Sequence, residues 1–115
     1  TMRYIQKECE VNTFGLGQVM SAGILLLAAG TKGKRKAGEN CRLMIHNISS
    51  NNYGPIHDLE NNMKEIMWYQ ERYIKCLSEN SKLSPKEIKK IFRKRIDYHF
   101  DAHKALEYGI IDEVV

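Results

Sequence analysis

Proline and cysteine are scarce in this chain of 115 residues, which holds two of the first and three of the second. The cysteines, Cys9, Cys41 and Cys76, are odd in number, widely spaced and form no C-x-x-C pair. That argues against a disulfide scaffold and for a reducing compartment: the cytoplasm, or an organelle matrix or stroma. Long apolar runs are lacking too. The strongest, Ile24 to Ala29, is too short to span a bilayer. Glu8 and Glu10 stand where a secretory leader needs a basic segment, so no membrane partner is expected. Charge is not lopsided: 18 Lys+Arg against 14 Asp+Glu give a net +4, too mild to demand nucleic acid. With 43% hydrophobic and 28% charged residues, the sequence reads as a single globular domain over 1–115.

Patterning predicts the elements. Val11 to Leu16 reads as a short strand running into a bend at Gly15 and Gly17. Ser21 to Ala29 reads as a helix apolar on nearly all sides, hence buried, and ended by Gly30. Lys32 to Lys36 reads as a basic, solvated turn. Arg42 to His46 is an interior strand delivering His46 at its end, and Asn47 to Gly54 is loop. Leu59, Met63, Ile66, Met67, Tyr73, Ile74 and Leu77 mark a helix from about Asp58 to Asn80. Ser84-Pro85-Lys86-Glu87 is a capping box opening a basic helix to about Ile96. Asp101 is an N-cap, Ala102 to Tyr108 a short helix, Gly109 its stop, and Ile110 to Val115 a strand. Thr1 to Ile5 reads like the interior of an amphipathic element already under way. The order β, α, β, α, α, α, β predicts an α/β layer architecture.

Several arrangements carry chemistry in outline. Gly30 to Arg35 has the look of a Walker loop, but Ala28 stands where glycine is needed and Arg35 where Ser/Thr would hold magnesium. No metal is expected at His99 and His103, because an N-cap at Asp101 interrupts their i, i+4 spacing. The helix bearing Lys86, Lys89, Lys90, Arg93, Lys94 and Arg95 presents a charged face that either is simply wet or touches phosphate. Ser21 opens a buried helix just after a glycine-containing bend, where free N–H groups favour an oxyanion. A serine there needs a histidine base, and the histidine a carboxylate; His46 and Asp97 are the candidates. On spacing alone, a plain N-cap is the better account of Ser21.

The wording around these residues is more specific. Gly17-Gln18-Val19-Met20-Ser21-Ala22-Gly23, Leu25 to Gly30, Lys32-Gly33-Lys34-Arg35 and Asn40 to His46 follow in order. Asp58-Leu59-Glu60, Lys64-Glu65-Ile66 and Ala105 to Asp112 come after them. Together these blocks resemble the ClpP family, the proteolytic subunits of Clp proteases, over nearly the whole chain. The resemblance implies a ClpP/crotonase-like α/β fold, a layered sheet with flanking helices and a long protruding helix. It implies a serine endopeptidase without cofactor, with Ser21 as nucleophile, His46 as base and Asp97 as its orienter. Asp101 is the rival to Asp97. The Ala22 N–H would serve the oxyanion, and Ser49, Ser50 and Asn51 would line the substrate cleft. The implied partners are unfolded polypeptide, an AAA+ Clp ATPase and a homo- or hetero-oligomeric ring of like subunits.

The departures from the family pattern are specific as well. Two residues are extra between Ile88 and Asp97, and Ile96 replaces an arginine used between stacked rings. Ser81-Lys82 stands where a glycine is expected, Val19 and Met20 replace alanines, and Ile48 replaces a proline. The family's upstream strands, and an S-P-G-G segment giving a second oxyanion donor, are not in this sequence. The chain by itself is therefore expected to show sheet edges and weak or no peptidase activity. A catalytically weak structural subunit of a mixed ring is the alternative, and a small basic nucleic-acid-binding domain a third.

Overall fold

The α/β fold class expected from the sequence is the one observed. In a computed structural model, which describes residues 1–115, five helices surround two small sheets. The elements are α1 (Met2–Glu8), β1 (Thr13–Gly15), β2 (Gln18–Met20), α2 (Ala22–Ala28), β3 (Arg35–Ala37) and β4 (Arg42–Ile45). They continue with α3 (Ile56–Glu79), α4 (Pro85–Arg93), β5 (Tyr98–Asp101), α5 (Ala102–Glu107) and β6 (Glu113–Val114). One sheet has the order β1-β3-β6 and the other β2-β4-β5. The chain passes from the first to the second at Leu16-Gly17, where Gly17 takes φ +66 and so turns without a side-chain clash. All pairings are parallel except β4 with β5.

A cluster of 19 buried residues holds these parts together, with Ile24, Leu43, Ile45, Leu77, Ile88, Ile110 and Ile111 sealed from solvent. Local chemistry explains the ends of α4 and α5. The Ser84 hydroxyl accepts from the Glu87 N–H while the Glu87 carboxylate accepts from the Ser84 N–H, with Pro85 in the first turn. The Asp101 carboxylate accepts from the Lys104 N–H, and Gly109 leaves α5 at φ +68.

Several expectations need correction. Arg35 is not part of a solvated turn. Only 4% of it is exposed. Its Nε and Nη2 donate to the two oxygens of Asp112 at 2.9 and 2.7 Å, and its Nη1 donates to the carbonyls of Ala28 and Asn80. A guanidinium is tolerated inside because every polar edge finds an acceptor. Asp112 also receives the N–H groups of Gly33 and Arg35, which together with the guanidinium hold its carboxyl down to about 2.

Helix α2 is not buried on all sides, since Leu26 lies exposed beside the outer edges of β1 and β2. The apolar stripe of α3 is only partly core. Tyr73, Ile74 and Leu77 are buried, whereas Leu59, Met63 and Met67 face solvent on the half that projects from the body. Finally, the basic helix stops at Arg93 rather than Ile96, and β5 forms between it and α5 where the sequence assigned no element. The terminal strand is confined to Glu113–Val114, the element read from Thr1 is helix α1, and β2 is a further addition. No helix is long and apolar enough to cross a membrane.

Candidate active site

Strand β2 delivers Ser21 and β4 delivers His46, each one residue beyond its strand. Asp97 immediately precedes β5. The β2–β4 ladder pairs Met20 with Met44, and the Ser21 N–H carries it one step on by donating to the Met44 carbonyl at 2.9 Å. The antiparallel β4–β5 ladder has Ile45 against Tyr98 as its last pair, so His46 leaves β4 and Asp97 enters β5 at the same end of the sheet. The order β2-β4-β5 makes the histidine strand central. A serine, an imidazole and a carboxylate thus stand at one end of one sheet, in the sequence a proton relay needs. Asp101, the rival acid, lies at the other end of β5, opposite Arg42, and is occupied capping α5.

The backbone at Ser21 is unusual. It holds φ 53 and ψ −116, a conformation that costs a residue with a side chain about 1–3 kcal/mol. It occupies the N-cap position of α2, yet its hydroxyl makes no capping bond. The plain N-cap reading therefore does not describe it. A strained strand-to-helix turn that lifts a hydroxyl clear of the backbone is the geometry of an exposed nucleophile. The Ala22 N–H, first in the helix, donates to no protein acceptor. It is free to meet a developing oxyanion beside that hydroxyl.

Proximity of backbone is not yet a relay. No hydrogen bond or ion pair joins Ser21, His46 and Asp97 to one another. Ser21 and His46 are half-buried and Asp97 is exposed. No buried side-chain nitrogen or oxygen lacks a partner, so the polar atoms of Ser21 and His46 are open to water. Asp97 sits on the short tether between α4 and β5, two residues after Arg95, itself at φ 52. Nothing packs over that tether to fix the carboxylate. Such contacts commonly tighten only when substrate closes the site.

The remaining candidates lie nearby in sequence but do not form a built subsite. Ser49, Ser50 and Asn51 are exposed in the loop between β4 and α3, where the Ser50 hydroxyl meets only Asn52 at 3.2 Å. A cleft of about 490 Å³ runs between α3 and α4 just beyond them, lined by Asn47, Ile48, Glu71, Lys89, Arg93 and Arg95 among others. No three His, Cys, Asp or Glu side chains cluster to hold a metal.

Sequence reasoning missed one contributor to the site. Tyr73, which the sequence marks only as a periodic position of α3, donates its hydroxyl to the Ser21 carbonyl at 3.1 Å. The only sequence signal was a tyrosine in place of an aliphatic residue within a buried stripe.

Comparison with known proteins identifies the family of the chain as a whole. The Clp protease family profile matches residues 1–115. An "ATP-dependent Clp protease proteolytic subunit 1" from Tropheryma whipplei (strain Twist) is 40% identical over 118 residues, covering 100% of this chain and 55% of the relative. An "ATP-dependent Clp protease proteolytic subunit 2" from Chlamydia pneumoniae is 38% identical over 116 residues with the same coverage. The chain therefore spans about half the length of the curated relatives it matches.

Proposed function

Because the chain belongs to the Clp protease family, we propose that it supplies a serine peptidase centre acting on unfolded polypeptide. In this reading Ser21 Oγ attacks the scissile carbonyl carbon while its proton passes to His46. Asp97 holds the imidazole in orientation and stabilises it once charged. The Ala22 N–H donates to the oxyanion. His46 then returns the proton to the leaving amine, and water hydrolyses the acyl-serine by the reverse sequence of transfers.

The observation that carries this reading is the strained strand-to-helix turn at Ser21, next to a strand order that has the histidine strand in the middle. Relatives named as proteolytic subunits of an ATP-dependent protease support an AAA+ ATPase partner and a ring of like subunits. Ser49, Ser50 and Asn51 would offer backbone to an extended peptide as an added strand. The three free cysteines accord with a reducing compartment such as the cytoplasm or an organelle matrix.

A second reading, a catalytically weak structural subunit, is favoured by the missing hydrogen bonds among Ser21, His46 and Asp97. Labelling with a fluorophosphonate separates the two. The first reading expects covalent modification that disappears in Ser21→Ala and drops steeply in His46→Ala. Equal labelling of the wild type and Ser21→Ala, or none of either, would leave the structural subunit. Turnover of short peptides is expected to be weak for this chain by itself, since one of two oxyanion donors typically accounts for about a hundred- to a thousand-fold in rate.

A further inference from the structure

The peptide unit between Ser21 and Ala22 is a rigid trans plane, with its C=O and N–H on opposite edges. Whatever holds the carbonyl edge therefore aims the N–H edge. The Ser21 carbonyl accepts from two donors, the Ile24 N–H at 3.1 Å within α2 and the Tyr73 hydroxyl at 3.1 Å from α3. On the other side of Ser21, its own N–H is tied to Met44. The strained turn is thus held by the sheet at one end and by α3 at the other.

Tyr73 is well placed for this. It is the first buried residue along α3, 7% exposed, with its ring 5.9 Å from that of Phe92. Burial, and to a lesser extent Cys76, raise its phenol above the ordinary value, so it stays a protonated donor. A hydrogen bond into the carbonyl also polarises the amide and makes its N–H a better donor.

We propose that Tyr73 is a positioning residue whose hydroxyl, by holding the Ser21 carbonyl, aims the Ala22 N–H at the developing oxyanion. The inference rests on Ser21 as nucleophile, and it couples the anchored end of the projecting helix to the oxyanion donor. Tyr73 itself touches no substrate. Its effect falls on the chemical step rather than on binding.

The test is Tyr73→Phe, which keeps the ring and its packing but removes the hydroxyl. Two readouts are taken on the 115-residue chain. The first is the rate of Ser21 modification by a fluorophosphonate, separated into half-saturating concentration and limiting rate. The limiting rate should fall about ten-fold, short of the loss for a missing donor, with the half-saturating concentration unchanged. The second is the amide proton resonance of Ala22, which should move while distant core amides stay put. A purely structural role would change stability and leave both readouts alone.

An unmoved Ala22 resonance in a folded Tyr73→Phe chain overturns the proposal, as does an unchanged limiting rate. If the wild type is not modified at Ser21, the nucleophile reading fails, and the Ala22 resonance alone decides whether the hydroxyl aims that N–H. Should Tyr73→Phe not fold, the wild-type hydroxyl proton decides. Protection from solvent exchange supports the tie, and exchange as fast as that of exposed tyrosines refutes it.

Discussion

Replacing Asp112 by asparagine removes the charge that faces Arg35 while keeping the shape of the side chain. In the native fold the carboxylate accepts both arms of the guanidinium and two backbone N–H groups. The Arg35 hydrogen bonds dominate its lowered proton affinity, against a smaller opposing effect of burial, bringing it from 3.8 to about 2. At roughly 1.4 kcal/mol per pH unit, that depression corresponds to about 2 kcal/mol of stability at neutral pH. The variant also leaves a guanidinium buried without its counter-charge, a situation that costs about 3–5 kcal/mol deep in a core. The Asp112 side chain is 23% exposed, so water offsets part of that cost. We expect Asp112→Asn to lose about 2–4 kcal/mol at pH 7.

The direction of the pH effect follows from the proton counts. Between about pH 4 and pH 2 the unfolded carboxyl is protonated and the folded one is not, so unfolding takes up a proton. Stability from this group is full above pH 4 and drains away as the pH falls towards 2. Urea denaturation followed by far-UV circular dichroism, repeated from pH 7 to pH 2, measures both quantities. The wild type should lose this contribution across that window, and the variant should lack that part of the slope. A variant within about 0.5 kcal/mol of wild type at pH 7, or one with an identical acid slope, would refute the reasoning.

Two further substitutions test a helix cap and a close backbone approach away from the site. Ser84→Ala removes the hydroxyl that accepts from the Glu87 N–H and should cost about 1 kcal/mol in the same urea experiment, without touching Ser21 chemistry. Gly30→Ala would set a methyl 2.9 Å from the Arg35 Cγ and 3.0 Å from the Thr13 Cγ2, besides crowding the Thr13 hydroxyl. It should destabilise by about 1–3 kcal/mol, read as a lowered melting temperature.

What the sequence disclosed best was local chemistry. The capping box at Ser84 and Glu87 and the cap at Asp101 are complete within four residues, and no distant contact can disguise them. Strand β4 was legible because Leu43 to Ile45 is an apolar run between polar flanks. Strand β5 was not, because Tyr98-His99-Phe100-Asp101 buries a single full side chain, Phe100, and becomes a strand only by pairing with β4. The periodicity of α3 spoke truly about an amphipathic helix but not about what covers it: Leu59, Met63 and Met67 share the stripe of Tyr73, Ile74 and Leu77 yet lie outside the core. Arg35 misled for the opposite reason. Its neighbours are solvated lysines, while the acid that draws it inward lies 77 residues away in the chain. At the site, spacing gave only a serine at a helix start, and resemblance assigned the roles. The strain at Ser21 and the hand-hold from Tyr73 belong to the three-dimensional arrangement alone.

The antiparallel register between β4 and β5 also governs how this gene can change length. A one-residue slip within the ladder would turn every β5 side chain to the other face of the sheet. Insertions and deletions are therefore forbidden from Asp97 to Asp101 but tolerable in the tether Lys94 to Ile96, which belongs to neither α4 nor β5. Selection can lengthen the leash without moving the acid.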